Sequence, residues 1–191
     1  MIYIEEIDGI DSGKYFGIFE KLPADRREAI EKLCFFKDKV QSALAYNLLR
    51  KGLKLEYGLD EVPPFSYNKN GKPFFKAFPE IYFNLSHCKK AAACVVDSAD
   101  IGIDVECIEP FDSALAEYIC NSDEFQEILK SDNPALAFTV LWTKKESYLK
   151  MMGEGLPERN ELKHLLEGVS HDMFSVYINK EYVVSICRSL S

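Results

Sequence analysis

The sequence predicts an α+β fold, because segments with strand periodicity and segments with helix periodicity both occur along its 191 residues. Residues 101–107 alternate apolar and polar side chains, as a half-buried strand does. Residues 138–152 instead place apolar side chains three or four positions apart, as an amphipathic helix does. With 47% hydrophobic residues, the chain is long enough for one sizeable domain or for two small halves that share a core.

The first 20 residues predict a β-hairpin. Residues 2–4 and 14–20 have the composition of two strands, and Asp8-Gly9 is a turn signal between them.

A long helical stretch follows after Pro23. Residues 24–51 carry apolar side chains at helical spacing, and we expect this stretch to break into two helices near Phe36. Gly52 would end the second helix, since glycine is frequent just beyond a helix C-terminus.

The remaining elements are predicted from the same two periodicities and from the Gly, Pro, Asn and Asp residues that bound them. The predicted strands are residues 65–67, 81–87, 91–96, 101–107, 174–178 and 182–186. The predicted helices are residues 114–119, 124–129 and 162–166, with a main helix that starts near Pro134 and stops near Gly153.

Composition excludes several classes of protein. A formal net charge of −8 argues against a sequence-independent nucleic-acid binder, which usually has a basic surface. No run of 18 apolar residues is present, and residues 1–6 lack the basic start of a signal peptide, so we expect no membrane segment. The six cysteines show no CxxC spacing, which predicts free, mostly buried thiols and a cytoplasmic location.

Two carboxylates on one strand face suggest a metal site. Strand alternation turns Asp104 and Glu106 to the same side, about 7 Å apart. At that spacing and partly shielded from water, each would raise the pKa of the other unless a cation lay between them. Carboxylate oxygens with room for water and phosphate suit Mg²⁺ better than Zn²⁺. An Asp-x-Glu pair can also be an ordinary polar strand face.

The main helix carries a second charged pair. Glu146 and Lys150 lie four residues apart and share a helix face. If this helix packs on the strand, a third carboxylate and an ammonium group join Asp104 and Glu106. An exposed helical ion pair is the simpler alternative.

The two segments together resemble a known signature. Residues 102–106 (GIDVE), residues 142–150 (WTKKESYLK) and the gap of 42 positions between Asp104 and Glu146 resemble the 4′-phosphopantetheinyl transferases. Residues 70–73 (NGKP) and 83–87 (FNLSH) are similar to the larger, surfactin-synthetase-activating branch of that family, rather than to the short trimeric acyl-carrier-protein synthases.

The resemblance implies a fold and a division of the chain. It implies two similar α/β halves related by a pseudo-twofold axis, with residues 1–98 forming the N-terminal half and residues 99–191 the C-terminal half. The first half would contact the nucleotide of coenzyme A, and the second would carry the magnesium site and the catalytic helix. Because both halves lie in one chain, we expect a monomer.

It also implies a reaction. The chain would transfer the 4′-phosphopantetheine arm of coenzyme A to a serine of an apo acyl or peptidyl carrier protein and release adenosine 3′,5′-bisphosphate. Asp104, Glu106 and Glu146 would hold Mg²⁺, and Lys150 and Lys145 would offset developing charge. Glu146 is either a metal ligand or the base that takes the serine proton, and the Lys145 stem could simply pack while its head reaches water.

Four residues of the N-terminal half are implied in binding coenzyme A. They are Lys32, Lys72, Ser86 and His87, with His87 beside the 3′-phosphate. The chain departs from the family at Gln41, where an arginine is frequent. Two other classes of function remain open: a Mg²⁺-dependent diphosphate hydrolase, and a non-catalytic module that binds coenzyme A or a carrier protein.

Overall fold

The computed structural model describes residues 1–7 and 9–190, and it confirms the predicted α+β class. The strands are β1 (Ile2–Glu6), β2 (Phe65–Tyr67), β3 (Pro73–Phe75), β4 (Tyr82–His87), β5 (Ala91–Asp97), β6 (Ile101–Cys107), β7 (Phe174–Ile178) and β8 (Tyr182–Arg188). The helices are α1 (Ser12–Phe19), α2 (Ala24–Glu31), α3 (Phe36–Tyr57), α4 (Ser113–Ile119), α5 (Ser122–Lys130), α6 (Pro134–Met152) and α7 (Arg159–Lys163), and a 3₁₀ turn covers His171–Met173.

Two three-stranded antiparallel sheets share one topology. The orders are β1-β5-β4 and β6-β8-β7, so in each sheet the strand that comes last in the chain lies between the other two. A long helix follows the first strand each time: α3 packs on β5 and β4, and α6 packs on β6 and β8. This repeated topology supports two halves, and the boundary at residues 98–99 remains a prediction.

The two sheets meet along β4 and β6. Their facing apolar side chains, including Val95 and Ile103, form one buried cluster between the sheets. Two side chains of β4 bind the backbone of β6: the Asn84 Oδ1 accepts from the Ile103 amide at 3.0 Å, and the Ser86 Oγ accepts from the Val105 amide at 3.3 Å. These bonds fix β4 alongside β6 in a parallel register.

The predicted hairpin at the N-terminus is wrong. Strand β1 pairs with β5, and residues 14–20, predicted as the second strand, mostly belong to helix α1. Asp11 caps that helix by accepting from the Lys14 amide, and Tyr15 stacks on Phe19 one turn later with ring centroids 5.4 Å apart. The two aromatic rings therefore contact each other across one helical turn. Asp8 of the predicted turn lies outside the described residues.

The long helical stretch does break, but its second helix is longer than predicted. Helix α3 continues through Gly52 and ends at Gly58, which adopts a left-handed conformation with φ of 69°. Gly52 instead lets α3 approach the first sheet, because a Cβ there would lie 2.8 Å from the Tyr3 ring and 2.9 Å from Val96. The remaining predicted strands and helices agree with the structure to within a few residues.

None of the helices in residues 1–7 and 9–190 has both the length and the apolar character to cross a membrane.

Gly102 of β6 sets the distance between β6 and α6. A methyl group at this position would overlap the Ser147 carbonyl oxygen and the Met151 amide nitrogen, which are backbone atoms that cannot rotate away. We expect Gly102→Ala to lower the free energy of unfolding by about 1–3 kcal/mol, the usual cost of overpacking. Urea denaturation would measure it. Gly17→Ala is the matched control, since a Cβ at Gly17 of α1 meets nothing within 4 Å; equal stability of the two variants would contradict the prediction.

Candidate active site

Strand β6 presents its two carboxylates to helix α6. Ile103 and Val105 are buried between the sheets, whereas Gly102 faces the α6 backbone and Asp104 contacts the α6 side chain Lys150. This is the alternation predicted from the sequence. It places Asp104, which is only 2% exposed, at the floor of a cleft.

Helix α6 contributes Glu146 and Lys150 to the same cleft. The Lys150 Nζ donates to the Asp104 Oδ1 at 2.5 Å and to the Ser86 Oγ at 3.2 Å, and the Ser86 hydroxyl donates to the same Asp104 oxygen at 2.9 Å. The predicted packing of the helix on the strand is therefore present, and it joins β4, β6 and α6 in one polar network.

The cleft has a volume of about 350 Å³ and opens between the two sheets and helices α2 and α3. Its lining residues are Arg26, Ser42, Ala45, Leu85, Ser86, His87, Asp104, Glu106, Glu146 and Lys150. Six of them come from the predicted set of nine site residues. A larger cavity of about 690 Å³ beside α5 and α6 contains none of that set.

Burial, and then the neighbouring carboxylates, perturb the pKa values of Glu106 and Glu146 in the cleft. Burial, and then the charge of Asp104, raises the pKa of Glu106 to about 7. Burial also raises the pKa of Glu146; Asp104 adds to this shift, and Lys150 opposes it. Such shifts mean that a positive charge added to the cleft would be bound favourably, because it would let these groups ionise.

One oxygen of the cleft has no partner. The Asp104 Oδ2 is buried and accepts no hydrogen bond, although the Oδ1 accepts two. In the part of the chain that the structure describes, no group of three or more His, Cys, Asp and Glu side chains is arranged to hold a metal ion. A donor set of carboxylates with one buried, unpartnered oxygen nevertheless fits a hard cation such as Mg²⁺.

Two polar residues of the cleft, Arg26 and Ser42, were not predicted. The Arg26 Nη2 donates to the Ser42 Oγ at 2.8 Å, the guanidinium lies 5.3 Å from the Tyr46 ring centroid, and the Arg26 Nε is buried without a partner. Arg26 and Ser42 lie on different helices and meet only because α2 folds back on α3. A single sequence holds no short-range signal for that contact.

His87 lies at the end of β4, on the cleft wall and exposed to solvent. Partial desolvation of its ring, and then the positive charge of Lys150, lower the pKa of His87. Next to it, the buried Gln41 amide donates from Nε2 to the Cys88 carbonyl at 2.8 Å. Gln41, the position where the chain departs from the resembling family, therefore holds the backbone that carries His87.

Lys72 lies outside the cleft. Its Nζ donates to the Met151 carbonyl at 2.6 Å and lies 3.7 Å from the Asp100 carboxylate. Its neighbours Asn68 and Asn70 both donate to the Gly153 carbonyl, at 2.9 and 3.0 Å. The turn that contains Lys72 thus caps the C-terminus of α6, and it borders a separate cavity of about 430 Å³.

Lys145 and Lys32 are also outside the cleft. Lys145 is fully buried, and its Nζ donates to the Glu124 carboxylate and to the carbonyls of Ile119, Leu162 and Lys163 at 2.8–3.1 Å. The Lys145 ammonium group therefore neither reaches water nor points to the carboxylates of the cleft. Its position does not support the predicted catalytic role. The Lys32 side chain is 72% exposed and pairs with Glu28 within the same turn, at 2.9 Å.

Comparisons with known proteins show the family of the chain. The sequence model of the 4′-phosphopantetheinyl transferase superfamily matches residues 100–187, which include β6, α6 and the three cleft carboxylates. The 4′-phosphopantetheinyl transferase psf-1 of Bacillus pumilus is 35% identical over 150 residues, which cover 77% of this chain and 62% of psf-1.

Two relatives from Bacillus subtilis extend the match. The 4′-phosphopantetheinyl transferase Sfp of strain 168 is 30% identical over 165 residues, covering 85% of this chain and 69% of Sfp. Another 4′-phosphopantetheinyl transferase is 28% identical over 180 residues, covering 93% of this chain and 75% of the relative. The chain belongs to the 4′-phosphopantetheinyl transferase superfamily, and the predicted family and enzyme class are thereby confirmed.

Proposed function

We propose that this chain transfers the 4′-phosphopantetheine arm of coenzyme A to a serine of an apo acyl or peptidyl carrier protein and releases adenosine 3′,5′-bisphosphate. The observation that carries the proposal is one cleft in which three carboxylates and Lys150 lie opposite Arg26 and His87. Carboxylates alone would repel a diphosphate. The Arg26 guanidinium on the facing wall, together with a bound cation, makes the cleft suitable for one.

Binding of coenzyme A would engage both walls of the cleft. The Arg26 guanidinium has a buried N–H without an acceptor, and phosphate oxygens accept such charge-assisted bonds well. Ser86 and His87 would provide further donors at the end of β4. A phosphate beside His87 would raise its pKa from the lowered value of the free protein, so phosphate binding and protonation of His87 would favour each other.

The transfer step needs a base for the serine proton and a positive charge beside the bridging oxygen. The serine hydroxyl would attack the β-phosphate, the bond from that phosphorus to the bridging oxygen would break, and the serine proton would pass to Glu146, directly or through water. Lys150 would neutralise charge on the bridging oxygen as it leaves with the nucleotide. Burial raises the pKa of Glu146, which favours proton uptake by this group.

We propose Asp104, Glu106 and Glu146 as the residues that hold Mg²⁺. The unpartnered Asp104 Oδ2 and the raised pKa of Glu106 support this assignment. When bound, magnesium would supply Lewis-acid stabilisation of the diphosphate charge.

The magnesium site can be tested by binding alone. With Mn²⁺ as the probe and electron paramagnetic resonance as the readout, we expect Glu106→Gln to weaken Mn²⁺ binding at least about tenfold, since a lost ionic ligand costs more than 1.4 kcal/mol. Glu109→Gln is the matched control, because Glu109 is exposed and paired with Lys89. Equal Mn²⁺ affinity in both variants would contradict the assignment.

The two candidates for coenzyme A binding, Arg26 and Lys32, can be distinguished by mutation. Arg26→Ala should weaken coenzyme A binding by about 10- to 100-fold, the range for losing one or two hydrogen bonds to a charged ligand. Lys32→Ala should leave the affinity unchanged, because its side chain is exposed and lies outside the cleft. Isothermal titration calorimetry with coenzyme A would measure both, and the reverse pattern would restore the interpretation drawn from the sequence.

The reaction itself is tested by intact-protein mass spectrometry. A panel of apo carrier proteins is incubated with coenzyme A, Mg²⁺ and the purified chain, with a chelator control. Metal-dependent gain of one phosphopantetheine by a carrier is the expected result. Release of adenosine 3′,5′-bisphosphate without carrier modification would identify a hydrolase instead, and coenzyme A binding without either product would identify a binding module.

Location and assembly are proposed on the same basis. Six free cysteines suit a reducing cytoplasm, and the two β-α-β-β units within one chain suit a monomer. Light scattering of the purified protein would test the second proposal, and a dimer mass would contradict it.

A further inference from the structure

Two cysteines continue the register between β4 and β6. Asn84 bonds to the backbone of Ile103, and Ser86, two residues on, bonds to the backbone of Val105. Because side chains on one strand face recur every two residues, the next pair in this series is Cys88 and Cys107.

The two cysteines lie in the same part of the core. Cys88 belongs to the buried cluster between the sheets, and Cys107 packs against that cluster. Burial, the largest cause, raises the pKa of Cys88 to about 12, and the nearby Cys107 thiol acts in the same direction. Cys88 is 8% exposed, whereas Cys107 is half-buried. Cys107 is therefore the more accessible thiol of the pair.

A solvent-open recess reaches both thiols. It has a volume of about 450 Å³ and is lined by Lys37, Asp38, Gln41, His87, Cys88, Lys89, Glu106, Cys107 and Glu109. His87 and Glu106 also line the active-site cleft, so the recess borders it. A small oxidant can thus reach the thiols through this recess.

We propose that Cys88 and Cys107 are a modification site, a dithiol that a peroxide converts to a disulfide and that lowers the affinity of the cleft for coenzyme A when oxidised. The Cys107 sulfur attacks one peroxide oxygen, the O–O bond breaks, and the products are a sulfenic acid and water or an alcohol. The Cys88 sulfur then attacks the Cys107 sulfur and displaces water. Two thiols are oxidised by two electrons, and one peroxide is reduced.

The disulfide affects coenzyme A binding through the chain neighbours of the two cysteines. His87 precedes Cys88 and Glu106 precedes Cys107, and both side chains line the cleft. The Cys88 carbonyl accepts from Gln41, so drawing the Cys88 backbone toward β6 works against that bond and moves His87 with it. The thiols themselves lie outside the cleft lining, which separates the modification from the phosphate contacts.

The test uses the full chain treated with hydrogen peroxide and then with an alkylating agent. Peptide mapping by mass spectrometry is expected to find a Cys88–Cys107 cross-link that dithiothreitol reverses. Titration calorimetry is expected to show at least a tenfold weaker affinity for coenzyme A in the oxidised protein. Cys107→Ser should bind coenzyme A equally well before and after peroxide, and Cys34→Ser, which removes the exposed thiol, should respond as the unmodified chain does.

Either of two results would overturn the proposal: cysteines that stay unlinked after peroxide treatment, or a mapped Cys88–Cys107 disulfide with unchanged coenzyme A affinity. The affinity readout rests on the proposed function, whereas the cross-link does not. A reduced protein that binds no coenzyme A would contradict the proposed function. In that case the peptide map alone would test whether Cys88 and Cys107 form a disulfide.

Discussion

Glu146→Gln is expected to reduce phosphopantetheine transfer by about 10²- to 10⁴-fold, the range for loss of a positioned base. The amide keeps the size of the side chain but can neither accept the serine proton nor carry negative charge. The fold should be unaffected, because Glu146 is only half-buried and lies at the open side of α6. Carrier modification would be followed by intact mass, and thermal unfolding would verify the fold.

A matched control and a metal titration sharpen this test. Glu154→Gln makes the same carboxylate-to-amide change at an exposed residue just beyond the end of α6. This variant should transfer phosphopantetheine at the normal rate. If Glu146 acts as a metal ligand, excess Mg²⁺ restores part of the lost rate by mass action, whereas a lost base is not restored by any concentration. Near-normal turnover of Glu146→Gln would refute both roles.

Lys145→Met should destabilise the protein by about 3–5 kcal/mol, as removal of one partner from a buried ion pair does. The Lys145 ammonium is enclosed, and its loss leaves the Glu124 carboxylate and three carbonyl groups without their donor. These acceptors come from α4, α5 and the segment around α7, so all three would lose their shared anchor on α6. Chemical denaturation would measure the change in the free energy of unfolding.

Lys144→Met provides the comparison. Lys144 lies beside Lys145 but is only half-buried, with its Nζ 5.7 Å from the Phe174 ring centroid, and its loss should cost about 1 kcal/mol or less. If Lys145→Met unfolded at the normal denaturant concentration and lost activity alone, Lys145 would be a catalytic residue, as the sequence suggested.

The parts of the site that were predictable are local in sequence. Alternation on one strand places Asp104 and Glu106 together, and a spacing of four on one helix joins Glu146 to Lys150; both relations depend on backbone geometry alone. Lys145 shows the limit of this reasoning. It lies five positions before Lys150, which turns it about 140° away around the helix, yet both lysines belong to the same recognisable motif.

Most contacts between elements that are distant in sequence could not be predicted. Arg26 reaches Ser42 only through the packing of α2 on α3, whereas Lys32, which the family resemblance implied, is exposed at the C-terminal end of α2. The hairpin prediction for the N-terminal segment was wrong for another reason. Its closely spaced aromatic residues fit both periods, and the Asp11 cap together with the contact between Tyr15 and Phe36 decides for a helix.

The parallel seam between β4 and β6 has a mechanical consequence. Among the described residues these strands belong to different sheets, and side chains of Asn84 and Ser86 provide their hydrogen bonds in place of a backbone ladder. The cleft straddles this seam, with Arg26 and His87 on one side and Glu146 on the other. A ligand that contacts both sides therefore acts as a clasp, and its binding should slow hydrogen exchange most at the Ile103 and Val105 amides, far more than at the outer strands.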